Sequence, residues 1–481
     1  MPAAAGGLHG KKSTLWTTEA WVYNPGPEPA EFVMEFTARG QTAILQAGPF
    51  MLDPETSLNW DNVIEELFDS TGSGALWVDS TVPVLFLTRT YTVATGEKAA
   101  TTKGSYGQAF IGTRNSMTLA KGDGKLYLTG LREDDRFRSN LYFQEVDNAQ
   151  ITVELEVFDD TGVLLGRDEF TIEGHSQRQK NLGQHLGISN TASAFATVAV
   201  TSGDGRLGAA ASVIDAATGD PTSIDAIHPN QVANTTTKQS DIHTLVAAVA
   251  NTTGLFASVW KSSLTIVNPT NTSQAVHLVY DVEQDRSGQL ENTIETNVTI
   301  PAGQQKTWDN VLVALFNVPE NAPTQGALHV YSTDGLMISS RTYNERSDNA
   351  TFGLGLPGLT SGDMITHDGK FGTMMGLTHT KGMRTNLGLA EYSSEDTNVK
   401  LTISTTRAGI FDFPPMYRSV PATSHVQLLR IFEKLPPEFE GVTLKGLRIE
   451  VVVENGGSVY AYATMIDNKS GDPTTFTTST N

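Results

Sequence analysis

Apolar and polar residues alternate along much of this chain with a period of two. In the segment ITVELEVFDD, at residues 151–160, every second position from Ile151 to Val157 is apolar, and the positions between them are polar. Such alternation is typical of a strand with one buried face and one exposed face. Turn-forming stretches such as DDTG, SGDG and STDG separate these segments. The pattern predicts an all-β chain of immunoglobulin-like β-sandwich modules.

A few short segments have helical spacing instead. In the first of them, Val63, Ile64 and Phe68 belong to one apolar stripe, and Asp61 is placed to cap the first turn. We therefore predict one short helix in each module, closing one end of the sandwich. The four segments are WDNVIEELF (60–68), NLGQHLG (181–187), WDNVLVALF (308–316) and VQLLRIF (426–432).

The chain contains two copies of one long unit, related by an offset of about 250 residues. Collinear matches include LWTTEAWVYNPG (15–26) with VWKSSLTIVNPT (259–270), and ASVIDAATGDPT (211–222) with ATMIDNKSGDPT (463–474). A fainter repeat inside each copy divides it into two sandwiches. The predicted organisation is module one at 1–122, module two at 123–228, a linker with a possible edge strand at 229–255, module three at 256–368 and module four at 369–481.

Three motifs carry a resemblance to a known group of proteins. They are the turn Asn24-Pro25-Gly26, the stretch GLREDDRFRSN from Gly130 to Asn140, and the closing GDPT from Gly219 to Thr222, with counterparts in copy two. The chain resembles the tandem sandwich repeats of uncharacterised bacterial exported and cell-surface proteins. Copy two departs from the pattern, with Thr270 in place of the glycine and Thr378 in place of the first arginine. The resemblance implies an extracellular structural or adhesive setting and no defined activity.

Charge and composition exclude several classes of partner. The formal net charge of −20 repels phosphate backbones and anionic lipid, so we expect neither nucleic acid nor a membrane surface as a partner. The stretch LREDDRFRSN (131–140) mixes three arginines with three acids, which indicates pairing between domains. The absence of cysteine excludes disulfides and thiolate chemistry and fits an exported protein. No signal peptide is visible at the start, and no uninterrupted apolar stretch predicts a membrane span.

The sequence gives no positive sign of catalysis. No Gly-x-Ser-x-Gly or His-Glu-x-x-His motif is present, and Ser176 beside His175 lies in a polar turn. We predict no enzyme, no catalytic residue, no cofactor and no metal site. Calcium stays open at two turns, each with two aspartates around a glycine, although two carboxylates are few for this ion. These aspartates are Asp215 and Asp220 in copy one and Asp467 and Asp472 in copy two.

The repeat separates packing tryptophans from candidate binding residues. Trp16 and Trp60 recur in copy two as tryptophans, whereas Trp21 and Trp77 become Thr265 and His329. Strand parity points Trp21, Tyr23 and Trp77 away from their own core, so these three form the predicted binding set. Such rings stack on sugars or anchor a neighbouring subunit. The alternative is that they lie beneath the next module.

These observations predict a non-enzymatic extracellular structural protein, a four-module rod serving as a surface, filament or matrix subunit. Its expected partner is itself, as a homo-oligomer or filament. The alternative is a secreted carbohydrate-binding or adhesion protein with glycans as partners. We also hypothesise that MPAAAGGL leaves an incomplete sheet edge in copy one, which the tail TTFTTSTN (474–481) of another subunit covers by strand addition.

Overall fold

The computed structural model describes residues 1–10, 14–93, 104–113, 117–228, 242–255, 258–283, 293–405, 413–435 and 442–480. Strands make up 62% of the structure and helices 6%. The sheets are antiparallel and form β-sandwich modules, which confirms the predicted fold class. Among the described residues, no helix has the length and apolar character needed to cross a membrane.

The first copy contains modules one and two. Module one consists of β1 (Ala4–Gly6), β2 (Leu8–His9), β3 (Leu15–Tyr23), β4 (Ala30–Ala38), β5 (Ile44–Leu52), β6 (Ser57–Trp60), helix α1 (Val63–Phe68), β7 (Gly72–Ser80), β8 (Leu85–Val93) and β9 (Ser105–Ile111). Module two consists of β10 (Leu126–Glu133), β11 (Phe137–Glu145), β12 (Ile151–Asp159), β13 (Leu164–Ile172), β14 (Gln177–Asn181), helix α2 (Leu182–Leu186), β15 (Thr191–Gly203), β16 (Leu207–Asp215) and β17 (Pro221–Asp225).

The second copy contains modules three and four. Module three consists of β18 (Ile242–Thr253), β19 (Val259–Val267), β20 (Gln274–Val282), β21 (Thr293–Ile300), β22 (Gln305–Trp308), helix α3 (Val311–Phe316), β23 (Thr324–Ser332), β24 (Met337–Glu345) and β25 (Thr351–Pro357). Module four consists of a 3₁₀ turn (Ser361–Asp363), β26 (Ile365–Thr366), β27 (Phe371–His379), β28 (Met383–Glu391), β29 (Thr397–Thr405), β30 (Met416–Val420), β31 (His425–Leu428), a 3₁₀ turn (Ile431–Lys434), β32 (Leu444–Asn455), β33 (Ser458–Asp467), β34 (Pro473–Thr477) and β35 (Ser479–Thr480).

All four modules share one strand order. In module two, one sheet runs β10-β15-β12-β13 and the facing sheet runs β14-β11-β16-β17. The corresponding strands of the other modules pair in the same order, and β18 joins both sheets of module three by pairing with β23 and β19. Each sandwich encloses its own buried apolar core. The fainter repeat within each copy is therefore a repeat of topology.

Two boundaries differ from the predicted organisation. β18, placed in the linker, is the first strand of module three, while residues 229–241 of that linker lie outside the described part of the chain. β26, placed in module three, pairs with β33 of module four. The two-residue β26 completes a neighbouring sheet, and hydrophobic pattern alone does not say which sheet so short a segment joins.

The chain ends do not follow the strand-exchange hypothesis. In copy one, β1 pairs with β7 and β2 pairs with β3, so these short strands take the place of the longer β18. In the tail, β34 pairs with β33 and β35 pairs with β27. The tail therefore completes its own module instead of covering a second subunit.

Helix prediction succeeds in three modules and is wrong in the fourth. α1 begins after Asn62, so Asp61 is not its cap, and α3 is capped by Asn310, whose Oδ1 accepts from the Val313 amide at 3.5 Å. In module four, VQLLRIF is divided between β31 and a 3₁₀ turn. Arg430 stands between them at φ 50°, a left-handed conformation that interrupts any helix.

The four modules close on one another. Their last strands contact in the cyclic order β9, β17, β25 and β34, so module one touches both module two and module four. Trp21, Tyr23 and Leu87 of module one belong to the apolar core of module four. The predicted rod is therefore wrong, because the first and last modules contact each other.

Candidate functional site at the module junctions

A turn rich in aspartate precedes the last strand of module two. Asp215 Oδ1 accepts hydrogen bonds from the amides of Ala217 at 2.8 Å and Thr218 at 2.9 Å. Gly219 has φ +84°, a conformation that favours glycine. The turn thus fixes Asp215 and leaves its second oxygen, Oδ2, directed at module three.

That second oxygen binds the edge of β25. Asp215 Oδ2 accepts from the amide of Thr351 at 2.9 Å and from its hydroxyl at 2.8 Å. Asp220 Oδ2 accepts from the amide of Gly353 at 2.8 Å. These carboxylates satisfy buried backbone donors that a further strand would otherwise have to pair. They therefore join module two to module three.

The same arrangement joins module four to module one. Asp467 Oδ2 accepts from the Ser105 amide at 2.8 Å, and Asp472 Oδ2 accepts from the Gly107 amide at 3.0 Å. No group of three or more potential metal-binding side chains occurs among the described residues. All four carboxylate oxygens of Asp215 and Asp467 accept two N–H or O–H donors each, so these turns join the modules through hydrogen bonds and act as polar clamps.

Asp220 and Asp472 contact each other where the clamps meet. Their exposures are 0% and 1%. Burial raises the pKa of Asp472 to about 7, and burial together with Asp472 raises the pKa of Asp220 well above its ordinary value. Two carboxyls in contact in a buried site cannot both ionise without a large electrostatic cost, so their contact favours the protonated forms.

Two buried arginines, equivalent in the repeat, flank this carboxyl pair. Arg341 Nε donates to the hydroxyl of Thr222 at 2.8 Å, and Arg89 Nε donates to that of Thr474 at 3.4 Å. Arg341 lowers the pKa of Asp220 and Arg89 lowers that of Asp472, each opposing the larger effect of burial. The centre of the molecule therefore contains two guanidinium groups and two coupled carboxyls.

A cavity of about 290 Å³ lies beside this centre, with walls from all four modules. Several of its charged groups have partners. Arg132 lies 3.2 Å from Asp134 and 3.5 Å from Asp309, and Arg136 donates to the carbonyl of Asn349 at 2.9 Å. Arg132 and Arg136 of LREDDRFRSN thus link module two to module three, as the mixed charge of this stretch indicates.

The three predicted binding residues are buried at junctions. Trp21 is 5% exposed and Tyr23 is 1% exposed, both within the core of module four, and the guanidinium of Arg448 lies 4.2 Å from the Tyr23 ring centre. Trp77 is 8% exposed and stacks on His175 of module two at 5.4 Å. This burial leaves no ring face for a sugar. All three side chains lie beneath a neighbouring module, which is the alternative that the sequence left open.

The structure also separates the residues considered for catalysis. His175 Nδ1 lies 2.9 Å from Glu35 of module one, and the Ser176 hydroxyl donates to backbone carbonyls. Glu66 accepts from the backbone amide of Asn62 at the start of α1. Sequence reasoning singled out Asp220 and Asp472 as turn residues but missed their contact with each other and the two arginines beside them. The signal for the arginines was the retention of the arginine in RTY in both copies.

No protein-family model matches the chain, and a search of curated proteins gives no match either. Among solved structures, the chain is similar to that described as the crystal structure of Thermotoga maritima 1070. The two are 11% identical, the match covers 26% of this chain and 97% of the other, and the TM-score is 0.18. A similarity at this TM-score carries no argument about function.

Proposed function

We propose that this protein is a non-enzymatic extracellular structural protein, a rigid unit of a surface, filament or matrix assembly that associates with copies of itself. The rigidity follows from the junctions, because the clamps and shared cores fix the modules against one another. The observation that carries the self-association is the exposed edge strand of module one.

This strand, β5, lies at the end of its sheet and is unusually apolar. Ile44, Leu45 and Met51 are 38%, 40% and 62% exposed, and the sequence ILQAGPFML contains no charged residue. Such an edge presents backbone donors and acceptors to another chain, and its side chains gain from being covered. Pro49 removes one donor, which leaves residues 44–47 as the part that pairs most easily.

The equivalent edge strands of the other modules carry charges. β13 contains Arg167, Asp168 and Glu169, β21 contains Glu295, and β30 contains Arg418. Charged side chains on an edge discourage strand pairing between molecules. Module one alone lacks this protection, so we place the contact between copies at β5.

The test is a substitution on β5 with a matched control on β13. We expect the wild-type protein to show a concentration-dependent increase in mass by light scattering after size-exclusion chromatography. Leu45→Lys should abolish this increase by adding a charge to the edge. Leu164→Lys, at a position 47% exposed on the corresponding charged strand, should leave it unchanged. A wild-type protein that stays monomeric at all concentrations would overturn the proposal.

A further inference from the structure

Two cavities lie between neighbouring modules at equivalent positions of the repeat. One lies between modules one and two and has a volume of about 170 Å³, and the other lies between modules three and four and has a volume of about 260 Å³. Matching residues line both. They are Arg138, Asn140 and Gln179 in the first cavity and Arg384, Asn386 and Gln427 in the second.

The strands explain why these side chains converge. Arg138 and Asn140 are two residues apart in β11, so they face the same side of the sheet. Gln179 of β14 pairs with Tyr142, the next residue on that face. In the second cavity, Gln427 of β31 pairs with Gly388 of β28 in the same register. The Arg-x-Asn sequence that ends the GLREDDRFRSN motif therefore points into a cavity in each copy.

The charged groups of both cavities are arginines. Arg39 and Arg138 line the first, Arg384 and Arg430 line the second, and no Asp or Glu among the described residues lines either one. The chain as a whole has a net charge of −20. Acidic residues strongly outnumber basic residues in the chain as a whole. Two cavities at equivalent positions whose described lining residues include arginine and no acidic side chain therefore favour binding of an anion.

The asparagine amides are oriented as donors. Asn140 Oδ1 accepts from Asn181 Nδ2 at 3.1 Å, and Asn386 Oδ1 accepts from the backbone amide of Arg430 at 3.0 Å. The oxygen is therefore engaged in each copy. The Nδ2 groups of Asn140 and Asn386 have no hydrogen-bond partner among the described residues.

The glutamine amides follow the same pattern. Gln179 Oε1 accepts from Arg39 Nη1 at 2.8 Å, and Gln427 Oε1 accepts from Gln325 Nε2 at 3.3 Å. Their Nε2 groups have no partner in the described part of the chain. Each cavity thus combines a guanidinium group with two amide NH₂ groups.

Arg138 supplies a second kind of evidence, because it is partly buried and has no hydrogen-bond or ion-pair partner among the described residues. Glu133 acts on its charge from a distance, and this carboxylate already accepts from the amide of Ser139 at 3.0 Å. A partly buried guanidinium group without a carboxylate is unfavourable unless an anion compensates it.

We propose that the two cavities are twin binding sites for a small oxyanion, the carboxylate or phosphate group of a soluble ligand. Arg138 binds two anion oxygens in one site through its planar guanidinium fork. In the other site Arg384, whose Nη1 also donates to Asn468 Oδ1 at 2.5 Å, supplies the positive charge. The asparagine and glutamine NH₂ groups complete the donor set. This role goes beyond self-association, since neither cavity includes β5.

The test is the stoichiometry of binding. Isothermal titration with inorganic phosphate and, separately, with succinate distinguishes the two anion chemistries. We expect saturation at two anions per chain for at least one probe. Arg138→Gln and Arg384→Gln should each reduce the stoichiometry to one, and the double variant should reduce it to zero. Absence of saturable binding of both probes, or two sites in either single variant, would overturn the proposal.

Further variants separate specific binding from loss of fold or of general charge. Arg418→Gln removes a positive charge from β30, away from both cavities, and should keep two sites. Arg138→Lys keeps the charge without the fork and should weaken binding at one site by about tenfold. Leu45→Lys should also keep two sites, so failure of self-association and failure of anion binding are distinguishable. An unchanged melting temperature confirms that each variant is folded.

Discussion

Asp220 and Asp472 place two carboxyl groups in contact where the four modules meet. A buried carboxyl pair of this kind retains a proton at a pH where isolated aspartates are ionised. Each carboxyl also accepts a backbone N–H of the neighbouring module. The protonation state of the pair is therefore coupled to the contact between modules.

This coupling predicts a pH dependence of stability. Burial raises the pKa of Asp472 to about 7 in the folded protein. The contribution of protonated Asp472 to the free energy of unfolding is therefore fully present below the unfolded pKa of about 3.9 and is lost as pH rises through about 7. Asp472→Asn keeps the hydrogen bonds of the neutral form. The difference in unfolding free energy between variant and wild type should shift in favour of the variant by up to about 1.4 kcal/mol per pH unit across that window.

Thermal or urea unfolding at a series of pH values measures this shift. Asp53→Asn, an exchange at an exposed aspartate of module one, serves as the control, and its difference from wild type should stay constant. A difference for Asp472→Asn that is independent of pH would contradict the raised pKa of Asp472.

A second prediction concerns Trp21. Its side chain is 5% exposed within the core of module four, so Trp21→Ala should lower the free energy of unfolding by about 3–5 kcal/mol. Tyr417→Ala, at a ring 55% exposed, should change it by less than about 0.5 kcal/mol. Chemical denaturation compares the two variants, and an unaltered stability of Trp21→Ala would mean that the junction between modules one and four does not form.

At the scale of elements, α1 and α3 occupy equivalent positions in modules one and three, but their side chains are buried to different extents. Both close one end of a sandwich, and their first two residues are fully buried. Their last phenylalanines differ. Phe316 is 5% exposed and packs 5.7 Å from Tyr280, while Phe68 is only partly buried against Phe36 at 5.6 Å. The same sequence stripe therefore contributes unequally in the two copies.

This difference predicts that Phe316→Ala destabilises the protein by about 3–5 kcal/mol and Phe68→Ala by clearly less. The two substitutions delete the same side chain at equivalent positions, so each is the control of the other. Urea unfolding followed by tryptophan fluorescence measures both. Equal losses would show that burial of the final phenylalanine does not set the contribution of the helix.

At the scale of the whole molecule, the cyclic contact of the last strands decides the shape. A compact chain of 481 residues has an expected radius of gyration of about 23 Å, whereas a linear row of four modules would give roughly 40 Å. Small-angle scattering of a dilute Leu45→Lys sample should give the smaller value, because this variant limits association. The larger value would show that the modules do not close in solution.

Much of the architecture follows from the amino-acid pattern alone. Alternating residues such as those of Ile151–Asp159 produce strands because side chains of a strand point to opposite faces. The duplicated motifs identify the two copies, since matching sequences fold into matching topology. The stripe in WDNVIEELF identifies a helix, although not its cap, because Asn62 and Asp61 are both good capping residues.

The contacts between modules do not follow from local sequence patterns. Strand parity shows that Trp21 and Trp77 point out of their own core, but it does not show that a neighbouring module covers them. Asp220 and Asp472 are far apart in the chain, and each resembles an ordinary turn residue until the other is beside it. Local patterns report which face of a strand is buried within its sheet. Contacts between modules join residues that are far apart in the chain, and no periodic pattern in the sequence indicates which of them will meet.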